Sequence, residues 1–174
     1  MIPSLNAAEI DAAIHKIADE IRSNYPDETI AIIGIHSRGD EVAERICTIL
    51  AEQDREILYG TLDISLYRDD FEHMRENPKL QGSDIPFSID DAVVILVDDV
   101  LFTGRTIRAA LDALADYGRA GRVELAVLID RGHREMPIQA NYVGIFLATD
   151  RHDHVIVSLE GADGEDKVEI HSKA

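Results

Sequence analysis

Residues Val93 to Val97 form an unbroken apolar run, V-V-I-L-V, and Asp98 and Asp99 follow it with no spacer. Mostly β-branched residues in such a run suit one strand buried on both faces, which requires other elements above and below the sheet. After the acids, Thr103, Gly104, Arg105 and Thr106 open a segment whose apolar residues, Ile107, Ala110, Leu111 and Leu114, recur at helical spacing. The order is strand, acidic corner, small polar loop, helix. That order belongs to an α/β architecture, whose ligand crevice lies outside the carboxyl ends of the strands.

The rest of the chain repeats the alternation. Asn6 and Glu9 form a capping-box pattern ahead of a helix striped by Ile10, Ile14, Ile17 and Ile21, which Pro26 and Asp27 break. Strands are predicted over Thr29 to Ile35, Ile57 to Ile64 and Val123 to Ile129, and a helix over Gly39 to Gln53. Short strands near Tyr142 to Leu147, Val155 to Leu159 and Val168 to His171 end the chain, the last of them forming a small cap. The expectation is a mainly parallel sheet flanked by helices, in a single domain over residues 1–174. The polar stretch Tyr67 to Asp91 exceeds the ~15 residues usual for a passive loop, which leaves it either a functional segment or a solvated insertion.

The acidic pair and the loop ask different things of a ligand. Gly104 lets a phosphate approach the backbone, Thr103 and Thr106 offer hydroxyls, and a helix start favours an anion. Asp98 and Asp99 repel phosphate but accept hydrogen bonds from sugar hydroxyls. A ribose 5-phosphate meets both demands. The loop Gly34 to Gly39, G-I-H-S-R-G, leaves the first buried strand at the same sheet edge and offers an anion nest with one guanidinium, Arg38.

These segments resemble a known family. V-V-I-L-V-D-D-V-L-F-T-G-R-T is similar to the phosphoribosyl pyrophosphate (PRPP) signature of type I phosphoribosyltransferases, and most similar to that of the PyrR family, pyrimidine-operon regulators that are also uracil phosphoribosyltransferases. I-H-S-R-G (35–39), L-D-I-S-L-Y-R-D-D (62–70), D-I-P-F-S-I-D (84–90) and D-R-G-H-R-E-M-P (130–137) extend the resemblance over roughly residues 5 to 160.

The resemblance implies the type I phosphoribosyltransferase fold with a hood and a flexible flap. It implies that Asp98 and Asp99 hold the ribose hydroxyls, while Val100, Leu101, Phe102, Thr103, Gly104, Arg105 and Thr106 complete the PRPP site. Pyrophosphate falls to His36, Ser37, Arg38 and Gly39, with an unusual cis peptide before the arginine, and to Arg68 and Arg75 of the flap, with Lys79 a weaker candidate. His36 replaces a lysine common in relatives and weakens the positive field. Arg131 and Val155, the latter through its backbone, would read the base. The implied cofactor is Mg²⁺, held mainly by substrate oxygens. Phe102 stands where purine-specific relatives carry an acid, which favours uracil. His133 is expected to be a structural hydrogen-bonder, and His152-Asp153-His154 a surface loop rather than a metal site.

Charge decides between activities. Against 34 Asp and Glu stand 17 Lys and Arg, a formal net charge of −17, which repels polyanions unless the cations gather on one face. Relatives often carry Thr-Arg-Ile-Ala-His-Glu where this chain has His15-Lys16-Ile17-Ala18-Asp19-Glu20. They also often carry a lysine after Gly144, where this chain has Ile145, and a Ser-Lys pair further on. Uracil transfer is therefore the leading reading. A UMP-responsive RNA attenuator, weakened by the acidic balance, and a PRPP-binding sensor are the alternatives. No DNA partner is expected, and the resemblance implies a homodimer or homotetramer. No apolar run approaches the ~20 residues of a membrane span. No signal-peptide core is visible, so the expected compartment is the cytoplasm. The single cysteine, Cys47, sits on a helix as an inert thiol without a disulfide partner in the chain.

Overall fold

Five parallel strands in the order β3-β2-β4-β5-β6 form the central sheet: β2 (Ile30–Ile35), β3 (Ile57–Leu62), β4 (Val93–Leu101), β5 (Arg122–Asp130) and β6 (Tyr142–Phe146). The computed structural model describes residues 4–68 and 82–173. Alternate residues of each inner strand serve different cores. Ile30, Ile32, Ile95 and Val97 pack on one face; Ala31, Ile33, Val94 and Leu96 pack on the other. Both faces are covered, which explains why these strands read as continuous apolar runs.

The first core is built against α1 (Ala7–Asn24) and α2 (Gly39–Ala51). Asn6 and Glu9 close the capping box on α1, and Ile10, Ile14, Ile17 and Ile21 are all buried. A cap contributes ~1 kcal/mol, whereas each buried isoleucine contributes ~1.5–3 kcal/mol, so the stripe holds this helix and the cap sets where it starts. The second core lies under α3 (Arg105–Ala115), which buries Ile107, Ala110 and Leu114. Leu111, expected on that stripe, is 38% exposed and sits on its edge.

A separate three-stranded sheet, β1 (Ser4–Leu5), β8 (Lys167–His171) and β7 (His154–Ser158), forms a hood with the short helix α4 (Glu160–Asp163). The cap was expected; β1 and α4, of two and four residues, carry no periodic signal and were not. The strand ending in the acids is longer than expected. β4 runs through Asp98 and Asp99 to Leu101, because its partners Val127 and Ile129 on β5 continue beside it.

The expected flap also needs correcting at its far end. Asp84 forms an antiparallel bridge with Thr61, Ile89 is fully buried, and Ile85 and Phe87 pack on the second core. Residues 82–91 are thus part of the body. Arg75 and Lys79 lie outside the described residues. Cys47 is half-buried, and burial pushes its thiol up to about 12. Among the described residues no helix is long and apolar enough to cross a membrane.

Candidate active site

The strand order reverses between β2 and β4: the chain leaves β2 for β3 on one side and returns to β4 on the other. The helices after these strands, α2 and α3, lie on opposite faces, so their starts diverge and open a crevice. Both N-termini face it, and neither N-cap residue, Arg38 or Gly104, supplies a side-chain acceptor. No N-cap side chain therefore stands between a bound anion and the first-turn N–H groups, although Arg105 N–H donates to Thr103 Oγ1 at 3.3 Å.

Beyond β4, residues Val100 to Ile107 line a cavity of about 300 Å³, which Arg68 also borders. This brings all seven residues expected at the PRPP loop onto one concavity, together with the one described flap arginine. Gly104 has φ +91° and is buried, and a Cβ there would lie 3.2 Å from Met136 and Ile138 side chains. Both the backbone conformation and the space call for glycine. The Thr103 carbonyl accepts from the N–H groups of Glu135 and Met136, so the 131–138 loop braces the cavity wall.

Asp98 is 5% exposed and Asp99 half-buried. Burial, then the charge of Asp99, raises the Asp98 carboxyl well above the carboxylate range. Burial also raises Asp99, while hydrogen bonds and the Arg38 charge pull it back. Neighbours on an extended strand point to opposite faces, yet these two carboxylates interact. Each turns back onto the chain, Asp98 Oδ1 accepting from Asp99 N–H and Asp99 Oδ1 from Val100 N–H, both at 2.8 Å. The pair is thus one acidic unit on the crevice floor, with unfilled acceptor capacity.

On the β2 side the His36–Ser37 peptide is cis and Arg38 has φ +72°. Gly39 lets this loop lie on β4: a Cβ there would be 2.6 Å from the Val97 carbonyl and 3.1 Å from Asp98 Oδ1. His36 Nδ1 is 3.3 Å from Asp40 and has no hydrogen-bond partner. Arg38 donates through Nε (3.0 Å) and Nη2 (2.8 Å) to both oxygens of Asp163 on the hood. That bond raises the guanidinium pKa. The hood is bolted to α2 twice more. Glu41 accepts from the N–H groups of Gly161 and Ala162, and Arg45 pairs bidentately with Asp166 at 2.6 and 2.7 Å.

The expected base-reading residues are placed differently from one another. Arg131 is buried, and its guanidinium donates to the Asp153 and Asp150 carbonyls at 2.9 and 3.0 Å and stacks 4.0 Å over the Phe102 ring. It thus reaches the crevice wall through Phe102, and its Nε is buried without a partner. Val155 is half-buried against the first core on β7, two residues after the Asp153 whose carbonyl holds Arg131. His133 contacts the Thr149 carbonyl at 2.6 Å, a structural bond. His152 and His154 are exposed, and among the described residues no group of three or more His, Cys, Asp or Glu could hold a metal.

Sequence reasoning missed the residues that act through others. Arg134 donates to the Ile138 carbonyl, the Phe102 carbonyl and Asp130, joining the base-side loop to the PRPP loop. Glu135 bridges Arg105 and Arg151. Asp163 lies 125 residues from its partner Arg38, a separation that leaves no local pattern.

Comparison with known proteins places the whole arrangement. The family model described as phosphoribosyl transferase domain matches residues 5–162. Two relatives named bifunctional protein PyrR are similar throughout. The one from Thermus aquaticus is 48% identical, covering 97% of this chain and 94% of its own. That from Akkermansia muciniphila is 51% identical, with the same two coverages of 97% and 94%. Among solved structures, a hypoxanthine phosphoribosyl transferase of Trypanosoma cruzi shares the fold at a TM-score of 0.75 and 18% identity, covering 99% of this chain and 91% of that one.

Proposed function

The chain belongs to the PyrR family of phosphoribosyltransferases, and we propose that within it the protein transfers the 5-phosphoribosyl group of PRPP to N1 of uracil, yielding UMP and pyrophosphate. It is a phosphoribosyltransferase; uracil and the residue roles are the proposal. One observation carries it: a cavity of about 300 Å³ around a helix N-terminus begins at Val100, the residue after the buried Asp98 and half-buried Asp99, at the switch point of the sheet. Thr103 to Thr106 grip the 5-phosphate there, through N–H groups and hydroxyls.

Asp98 and Asp99 accept hydrogen bonds from the ribose hydroxyls and so fix the sugar. In the reaction the bond from C1 to pyrophosphate breaks and the pyrophosphate leaves with the electron pair. A bond from C1 to uracil N1 forms, and the N1 proton passes to an oxygen of the departing pyrophosphate. C1 becomes cation-like between these events, and the two carboxylates stabilise it. Arg38 and the N–H groups of its loop take the leaving anion, with Arg68 closing from the flap side. Mg²⁺ fits this site: Asp98 and Asp99 offer hard oxygen donors, and the ion would neutralise pyrophosphate charge on substrate oxygens.

Phe102, backed by the Arg131 guanidinium, presents an apolar wall without a proton carrier, which suits a pyrimidine better than a 6-oxopurine. The test is pyrophosphate release from PRPP with Mg²⁺ across uracil, orotate, hypoxanthine and adenine. Uracil is expected to be the substrate, and turnover with hypoxanthine instead would overturn the base assignment.

The word bifunctional in the relatives' name supports a second reading, UMP-responsive RNA binding. On α1, however, both cations are already engaged: Lys16 donates to the Val143 carbonyl and lies beside Glu20, and Arg22 pairs with Asp19. Transfer is therefore the main activity proposed. A filter-binding titration with the protein's own pyrimidine-operon leader decides the rest. Salt-sensitive binding strengthened by UMP would establish the second activity.

A further inference from the structure

The Arg38 fork already holds an anion. Asp163 Oδ2 and Oδ1 accept from its Nε and Nη2 at 3.0 and 2.8 Å, and its Nη1 leans on Ser37 Oγ at 3.4 Å. A carboxylate bound edge-on to a guanidinium uses the same paired donors that a phosphate uses. Asp163 does not depend on this pair for its place: its Oδ2 also accepts from Leu159 N–H at the start of α4. The hood stays attached to α2 without it, through Glu41 and the Arg45–Asp166 pair. The pair is partly exposed, 34% at Arg38 and 24% at Asp163, so a competing anion in solution reaches it and the pair is worth little on its own.

We infer that Asp163 is a built-in competitor for the pyrophosphate end of the ligand: it occupies Arg38 in the free protein, yields to PRPP, and reclaims the guanidinium as pyrophosphate leaves. This rests on the reading of Arg38 as a pyrophosphate ligand. Asp163 is a positioning residue and touches no reacting atom. It sets how tightly the diphosphate is held, against a field in which Asp40, Glu41 and Asp99 also surround the loop.

Asp163→Asn keeps an oxygen for Leu159 N–H and removes the charge. In the full-length enzyme with Mg²⁺, its pyrophosphate inhibition constant and its KM for PRPP should each fall about three- to fivefold. KM for uracil should stay unchanged. Unchanged or weaker pyrophosphate inhibition would overturn the inference, since a purely structural role would lower the melting temperature without tightening the anion. Arg38→Gln separates the two levels. If it weakens pyrophosphate while D163N has no effect, the competitor idea fails and the Arg38 assignment stands. If R38Q binds pyrophosphate as well as the unmodified protein, the assignment itself fails. Should D163N not fold, crystals of the unmodified protein soaked with magnesium pyrophosphate give the same answer: an Arg38–Asp163 separation beyond about 4 Å supports displacement, and a retained pair refutes it.

Discussion

At 5% exposed, Asp98 has little water to hold its charge, and Asp99 adds a like charge beside it. A carboxyl whose folded pKa lies above its ordinary value of 3.8 favours folding in its neutral form. Its stabilising contribution is full below that value and is lost as pH rises through the folded pKa. Asp98→Asn should therefore melt higher than the unmodified protein at pH 8, with the gap closing toward pH 4, while turnover is lost. Thermal scans across pH check this; equal melting temperatures at pH 8 would contradict it. Gly39→Ala tests the same corner from the other side. Its Cβ would meet the Val97 carbonyl at 2.6 Å, which is backbone and cannot rotate away. A loss of about 1–3 kcal/mol by urea unfolding is expected, with weaker PRPP binding. The identities of these residues were legible from D-D and S-R-G. Their burial and mutual contact were not, because they depend on β5 carrying β4 past the acids.

At the scale of elements, the legible parts were those with a long apolar period: α1, α2, α3 and the inner strands. The illegible parts were β1 and α4, too short to show a period, and residues 82–91, polar in sequence but packed by Ile85, Phe87 and Ile89. Arg134 is the clearest case of a role set by tertiary contact. Its three acceptors sit on two loops and a strand end. Arg134→Met should cost about 2–3 kcal/mol, since it takes the donor from Asp130 Oδ2 and from two carbonyls, while Asp130 Oδ1 keeps Gly132 N–H. It should also raise KM for the base more than for PRPP, because Phe102 loses its anchor. Equal effects on both substrates would place Arg134 in general stability alone. Asn6→Ala should cost only about 1 kcal/mol in urea unfolding, with kinetics unchanged.

Over the whole molecule, 17 excess negative charges surround a site that must accept a polyanionic substrate. The attraction is therefore local, from two helix starts and a few arginines, and not from the long-range field. Added salt should screen the repulsion outside more than the contacts inside, so KM for PRPP should fall between low and moderate ionic strength, and a KM that rises steeply with salt would contradict this. The central claim is that the carboxylate pair beside the Thr103–Thr106 cradle is the PRPP site. Calorimetric titration with Mg²⁺ and PRPP of the unmodified protein and of the Asp98→Asn, Asp99→Asn double variant tests it most directly. Heat of association in the first and none in a folded second is the expected result; equal affinity in both would contradict it.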